Sequence, residues 1–319
     1  MRLNTVVTQP EFIYTYTCQE DEVSLCHMEM RSLFGMESST NVLKSPVAIA
    51  PDRSPFIKER IEVMYEGDEL ADILAQVEHL ALFGASFKVM LVKINDLDPE
   101  DRIRFKNRRA IEREIGMHIN GEADMLNPDH LFGLITMDGR WYFGNYVKAE
   151  AIWLHHMKKP RNYSIALSTR VARAVANIAV PTPHGVKAID PCCGIGTVLV
   201  EALSMGINIE GRDINPFIVQ GARQNIEHFG LQAEITLGDI ADIDTTYDVA
   251  VLDMPYNLFS KTTPEEQFSL LKESRRIASK VVVVTIETID EMIENAGLTI
   301  VDRCVAKKGN FSRQIIVCK

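Results

Sequence analysis

Four short segments in the C-terminal half of this 319-residue chain end an apolar run in an aspartate and continue into residues able to hold a small molecule. The first is Asp190-Pro191-Cys192-Cys193-Gly194-Ile195-Gly196-Thr197, where the glycines let backbone approach a ligand and the following helix offers free N–H groups. Asp213, 23 residues further on in Gly211-Arg212-Asp213-Ile214-Asn215-Pro216, can accept hydrogen bonds from both hydroxyls of a ribose. Asp239-Ile240, after Gly238, pairs an acceptor for an amino group with an apolar contact. Asp253-Met254-Pro255-Tyr256 is the most specific of the four. An exocyclic aromatic amine is a poor nucleophile because its lone pair is delocalised into the ring. The Asp253 carboxylate and the Met254 carbonyl, by accepting its N–H hydrogens, localise that pair toward a methyl donor, and Tyr256 can stack on the extracted base.

Each segment alone has a plainer account. Gly194 and Gly196 serve equally in a turn that opens a helix, Asp213 could cap the helix beginning near Pro216, and Asp-x-Pro-Tyr could simply end a strand. A dinucleotide fingerprint wants glycine at position 199, where Leu199 stands. In an open α/β sheet, however, the loops at the C-terminal ends of the strands share one crevice.

The spacing supplies such a sheet. From residue 168 it alternates strictly: helix 168–179, strand 186–190, helix 197–206, strand 207–213, helix 216–230, strands 233–239 and 247–253, helix 263–278 and the apolar strand 280–286. Runs of this kind mark a buried parallel sheet with helices on both faces, and 297–319 reads as a terminal pair of strands. Ahead of it the order over 12–95 is β-α-β-β-α-β, which suggests a ferredoxin-like unit. A basic helix over 101–119 follows, then a hairpin over 131–147 turning at Asp138-Gly139. The expected organisation is a ferredoxin-like module over 1–85, a second α+β segment over 86–154, a linker over 155–163 and the α/β domain over 164–319.

Residues 164–319 resemble class I S-adenosylmethionine (SAM)-dependent methyltransferases of the putative RNA methylase family, which includes tRNA guanosine N2-methyltransferases joined to a THUMP domain. The resemblance implies a Rossmann-like fold, a doubly wound sheet with antiparallel terminal strands, and SAM as cofactor. It implies that Asp190, Gly194 and Gly196 line the methionine end of SAM, with Pro191, Cys192 and Thr197 of the same loop among the cofactor-binding residues. Asp213 and Ile214 would hold its ribose side, Asp239 and Ile240 its adenine, and Asp253, Met254, Pro255 and Tyr256 would face the target amine. Leu167 and Ser168, at the start of the preceding helix, resemble cofactor neighbours. The family usually has Asp-Pro-Pro-Tyr, so Met254 is a departure. The N-terminal half, with Asn127-Pro128-Asp129 before its hairpin, is similar to THUMP-like RNA-binding regions.

A net charge of −10 argues against indiscriminate coating of nucleic acid, which rests on phosphate neutralisation. Residues 101–173 nevertheless carry thirteen Lys/Arg against eight Asp/Glu, so a locally basic middle fits RNA, with tRNA the expected partner. Arg102, Arg104, Lys106, Arg108, Arg109, Lys158, Lys159 and Arg161 are candidate phosphate contacts; a solvated helix face is the competing account of the first five. The six cysteines show no paired C-x-x-C spacing and His155-His156 reads as a surface pair, so no metal is expected. No apolar run of 18 residues and no signal-peptide layout appears, which points to a cytoplasmic protein free of the membrane. A pyrimidine C5 methylase would need a cysteine nucleophile, and the cysteines near the crevice, Cys192 and Cys193, lie in the cofactor loop. The competing functions are a DNA adenine N6-methyltransferase, a protein glutamine N5-methyltransferase and a non-catalytic RNA-binding protein that keeps the SAM fold.

Overall fold

The computed structural model describes residues 9–93, 105–163, 166–255, 263–309 and 311–319. They divide into two compact units, one of residues up to 17 with 38–52 and 56–150, the other of 18–37, 53–55 and 151–319.

In the first unit, β1 (Phe12–Tyr16) is followed by helix α1 (Val23–Phe34), which groups with the second unit, and then by β2 (Val42–Ser45) and β3 (Ile57–Gly67). Helix α2 (Leu70–Val77), β4 (Ser86–Leu91), helix α3 (Phe105–His118), β5 (Glu122–Ala123), β6 (His130–Met137) and β7 (Arg140–Lys148) complete it. The strands form one mixed sheet in the order β2-β1-β3-β7-β6-β4-β5. This corrects the expected ferredoxin-like arrangement. β1 pairs antiparallel with both β2 and β3, while β4 lies beyond β7 and runs parallel to β6. The physical reason is that α1 is not the crossover helix covering this sheet, so β1 and β2 are free to pair directly. Ile73 and Val77 of α2 and Ile115 of α3 pack on Phe87, Phe132 and Phe143 of one sheet face, and Ile13, Ile61 and Tyr146 form a cluster on the other. The β6–β7 hairpin turns at Asp138 (φ 51°) and Gly139 (φ 77°), the paired positive values of a type I′ turn. Gly144 is obligatory opposite the β3 bulge, since a Cβ there would stand 1.8 Å from the Glu62 carbonyl oxygen.

The second unit holds α1, α4 (Trp153–His156), α5 (Thr169–Ala179), β8 (Lys187–Asp190), α6 (Thr197–Ser204), β9 (Asn208–Asp213), α7 (Pro216–His228) and β10 (Ile235–Leu237). It continues with β11 (Tyr247–Asp253), α8 (Pro264–Ile277), β12 (Ala278–Thr285), α9 (Asp290–Asn295), β13 (Ile300–Lys308) and β14 (Phe311–Cys318). The sheet order is β10-β9-β8-β11-β12-β14-β13, parallel through β12 and antiparallel in the terminal hairpin. Val281 to Val284 of β12 are all fully buried, as a central strand covered on both faces requires. The helix starts are locally encoded. Ser168 caps α5 by accepting from the Val171 N–H, and Thr263 with Glu266 forms a capping box on α8, with Pro264 in its first turn.

A buried polar network anchors α1 and the segment before α5 within this unit. Glu201 on α6 accepts from Arg173 Nη1 at 2.6 Å, and its other oxygen lies 2.7 Å from His156 Nδ1. Arg173 also donates to the Arg53 carbonyl, and Arg53 donates to Asn177 Oδ1 and the Val180 carbonyl. Asn177 and Ser54 donate to Glu29, which sits fully buried in the apolar face of α1. Burial pushes the Glu29 carboxyl up to about 7, against the hydrogen bonds and the Arg173 and Arg53 charges that favour its ionised form. His156 is therefore a core residue and not half of a surface pair, while His155 stays exposed.

Candidate functional site

The chain runs outward from β8 to β10 and then returns to place β11 on the other side of β8, so the strand order reverses between β8 and β11. A crevice is expected outside the C-terminal ends of the strands at such a point. A cavity of about 650 Å³ lies there, within the range of small-molecule sites. All four aspartates, Asp190, Asp213, Asp239 and Asp253, line it.

The loop after β8 is shaped by two positive φ values, 54° at Gly194 and 77° at Gly196. A Cβ on Gly194 would meet nothing within 4 Å, so its backbone is open to a ligand, and its N–H donates to Asp213 Oδ2 at 3.0 Å. Gly196 is not a lining residue; a Cβ there would come within 3.4 Å of Ala222, so it serves the packing of α6 against α7. Leu199, standing where a dinucleotide fold has glycine, is accommodated by Gly211 of β9, where a Cβ would lie 2.5 Å from Leu199 Cδ1. The small residue has moved from the helix to the strand.

Asp213 does not cap α7. Asn215 does, by accepting from the Phe217 and Ile218 N–H groups, and the Asn215 N–H in turn donates to Asp213 Oδ1 at 2.9 Å. Each Asp213 oxygen is thus fixed by one backbone donor and keeps lone-pair capacity for more. Asp239 accepts from the Ala241 N–H, and Arg212 Nε braces its carbonyl at 2.8 Å. Leu167, Pro191, Cys192, Thr197, Ile214 and Ile240 also line the cavity, whereas Ser168 is occupied as the α5 cap.

Asp253 ends β11, and its Oδ1 is enclosed with no hydrogen-bond partner among the described residues. Thr197 Oγ1 is in the same condition. Two polar atoms left unsatisfied at one cavity are costly without a polar ligand, which is what a cofactor and an amine acceptor would supply. Burial pushes the Asp253 carboxyl up to about 7, with the Arg313 charge opposing. Asp190 is raised well above the ordinary range, first by burial and then by the negative charges of Asp253 and Asp213. Burial also raises the Cys192 and Cys193 thiols, which keeps them poor nucleophiles.

Met254 explains its own departure from the family motif. Its N–H donates to the Val284 carbonyl at 2.9 Å, a bond proline cannot make, and its side chain is buried with Leu252, Leu271 and Val283. Pro255 lines the cavity, and Tyr256 lies outside the described residues. Sequence reasoning overlooked the wall formed by Glu266, Ser269 and Leu270 of α8, whose spacing puts them on one helix face. It also overlooked Tyr163, which lines the cavity, and Asn225, which donates to the Ile195 and Arg161 carbonyls and ties the segment before α5 to the glycine loop. A buried asparagine in α7 was the available signal.

Of the basic candidates, Arg102, Arg104 and the side chain of Lys106 lie outside the described residues. Arg108 donates to the Leu91 carbonyl, and Arg109 is exposed 3.7 Å from Glu112. Lys158 is exposed, Arg161 bonds Gln224, and Lys159 is buried, with its ammonium pKa lowered by that burial.

The doubly wound sheet with its antiparallel terminal hairpin, and the aspartate-lined crevice at the switch point, form a Rossmann-like fold of the methyltransferase type. Residues 157–284 match the RMKL-like methyltransferase domain family. The chain is similar to the tRNA (guanine(10)-N2)-dimethyltransferase of Methanothermobacter thermautotrophicus, at 28% identity over 254 residues, which cover 74% of this chain and 69% of that protein. Similarity to the enzyme of the same name from Pyrococcus abyssi is 32% over 37% of this chain and 36% of that one. The human U6 snRNA (guanine-N(2))-methyltransferase THUMPD2 is 25% identical over 53% of this chain and 34% of its own length. The match to the last two thus spans about a third of their length. Among the described residues no helix is long and apolar enough to cross a membrane, and no group of three His, Cys, Asp or Glu could hold a metal.

Proposed function

We propose that this protein methylates N2 of a guanosine in tRNA. The observation that carries the reading is Asp253: a carboxylate at the tip of β11, with an enclosed oxygen that has no hydrogen-bond partner among the described residues, bordering the cavity the cofactor would fill. The relatives named for guanine N2 chemistry support the choice of amine.

SAM, when bound, supplies a methyl group on a sulfonium centre. Asp213 would hold the ribose hydroxyls, Asp239 and Ile240 the adenine, and the Asp190 to Thr197 loop the methionine end. Asp253 accepts an N–H hydrogen bond from the guanine amine and the Met254 carbonyl accepts the second, while Tyr256, which lies outside the described residues, is the residue expected to stack on the base. As the nitrogen gains its methyl group it gives up a proton, and Asp253 Oδ1, with an affinity for protons near neutrality, is placed to take it. The remaining contribution is holding donor and acceptor in line.

Transfer of labelled methyl groups from SAM to tRNA, single-stranded DNA and duplex DNA tests the reading. Label in tRNA is expected. Label in DNA alone points to an adenine N6-methylase, and SAM binding with no transfer to any nucleic acid points to a non-catalytic scaffold.

Asp213→Ala should weaken SAM binding by about 1.5–3 kcal/mol, because it strands two hydroxyls and frees the Gly194 loop. Unchanged affinity by calorimetry contradicts the ribose assignment. For the RNA itself, Arg109, Lys158 and Arg161 are the described basic candidates whose charges are presented to solvent. Replacing the three with Ala should weaken tRNA binding and flatten the log K against log salt plot by about 0.7–0.9 per lost phosphate contact. A filter-binding slope equal to wild type would return them to a solvated surface.

A further inference from the structure

The sheet carries one cation into the neighbourhood of Asp253, and the methyl-transfer chemistry proposed above leaves it without a role. Asp253 stands opposite Val284 of β12, and Val284 stands opposite Ile315 of β14. Residues in such a row project to the same sheet face, and so does a residue two positions away on one of the strands. Arg313 is two positions before Ile315, on the face of Asp253. Gln314 pairs with Thr285, the last residue of β12, so Arg313 lies just past the C-terminal edge of the sheet, the edge at which the cavity opens. Across the hairpin its partner is Ala306, too small to fill the space above the strand. The Arg313 guanidinium carbon sits 4.6 Å from the centre of the Phe311 ring, the next residue on that face toward the hairpin tip. An aromatic ring at this distance attracts a cation and restricts its side chain.

We infer that Arg313 is a positioning residue for methyl transfer, keeping the Asp253 carboxylate ionised and therefore able to act only as an acceptor toward the target amine. The inference rests on the proposed role of Asp253. Among the described residues, the other titratable groups that line the cavity with Asp253 are acids, thiols and a phenol, none of which favours its ionised form. Asp190 on β8 and the Cys192 thiol after it interact with it directly, and Glu266 of α8 and Asp213 of β9 line the same cavity. Among the described residues Arg313 is the cation that opposes them, and it also opposes the burial that pushes the carboxyl up to about 7. Without it the carboxyl would hold its proton to still higher pH and be mostly protonated at pH 7. A protonated carboxyl presents an O–H donor where the amine needs an acceptor.

The test uses the full chain with 13C-carboxyl-labelled aspartate, the Asp253 signal being assigned by its loss in Asp253→Asn. Arg313→Gln should move the Asp253 titration upward by about one pH unit. The acid limb of methyl transfer to tRNA should move by the same amount. Activity at pH 7 then falls about fivefold and recovers by about pH 9, while SAM affinity stays within about threefold. Arg313→Lys should restore most of the wild-type profile, which a packing role for the guanidinium would not allow. Phe311→Ala, which frees the guanidinium without removing its charge, should give a smaller shift of the same sign and covers the case in which Arg313→Gln does not fold. An Asp253 titration unchanged in a folded, SAM-binding Arg313→Gln protein overturns the inference. The carboxyl titration needs no RNA, so it stands or falls separately from the assignment of tRNA as substrate.

Discussion

Asp253→Ala is expected to reduce methyl transfer by about 100-fold or more, while SAM affinity stays within about threefold of wild type. The asymmetry follows from position. Asp253 is at the tip of β11, where the target amine is proposed to sit, whereas the residues proposed to hold the ribose, adenine and methionine end of SAM are on the loops after β8, β9 and β10. Equal loss of cofactor binding would move Asp253 into the cofactor site. Wild-type turnover should rise with pH through about 7, as the Asp253 carboxyl loses its proton. The same group weakens the fold. Its folded-state pKa is raised, so the native protein holds a proton that the unfolded chain releases between about pH 4 and 7, and stability is lost as the pH rises through that window. Asp253→Asn should therefore be more stable than wild type at pH 8, by on the order of 2 kcal/mol, while inactive.

Glu201→Ala is expected to destabilise the second unit by about 3–5 kcal/mol, with no residue of the cavity changed. Both Glu201 and Arg173 have side chains only 1% exposed, at 2.6 Å, and Glu201 is also the partner of His156. Removing it leaves a guanidinium buried without its counter-charge, and that desolvation exceeds the value of the pair itself. The double change Arg173→Met with Glu201→Leu should cost much less, because neither charge is then stranded. Urea unfolding of the single and double variants checks both. A single-variant loss under about 1 kcal/mol would mean that water reaches the network.

The parts of the fold legible in the sequence are those set by short-range patterns. The alternation from residue 168 onward, the buried Val281–Val284 run and the Asp138-Gly139 turn each report local geometry, and the observed strands and helices follow them to within a few residues. What an element packs against is a different matter. The amphipathic pattern of α1 shows that it buries a face but not which one it meets. The signal was Glu29, a carboxylate set among Leu25, Cys26, Met28 and Met30, which has to find distant partners and finds them in Ser54 and Asn177. The polar run 155–163 reads as surface for the same reason: the residue that makes His156 a core residue, Glu201, is 45 positions away. In the first unit a β-α-β-β-α-β order does not state which strands pair, and the sheet places β7 and β6 between β3 and β4.

At the site, the four aspartates were legible because strand ends repeat the same short motif form. The α8 wall and Arg313 were not, since α8 reaches the cavity only through its packing on the sheet, and Arg313 is brought to the face of Asp253 only by the pairing of β12 with β14. Met254 reads as a lost proline in the sequence and as a gained hydrogen bond to Val284 in the structure.

The most direct test of the account is nucleoside mass spectrometry of tRNA incubated with the purified protein and SAM. It should show N2-methylguanosine or N2,N2-dimethylguanosine that is absent when Asp253→Ala replaces the wild-type protein. N6-methyladenosine in its place, or no new nucleoside from a protein that binds SAM, would contradict the assignment.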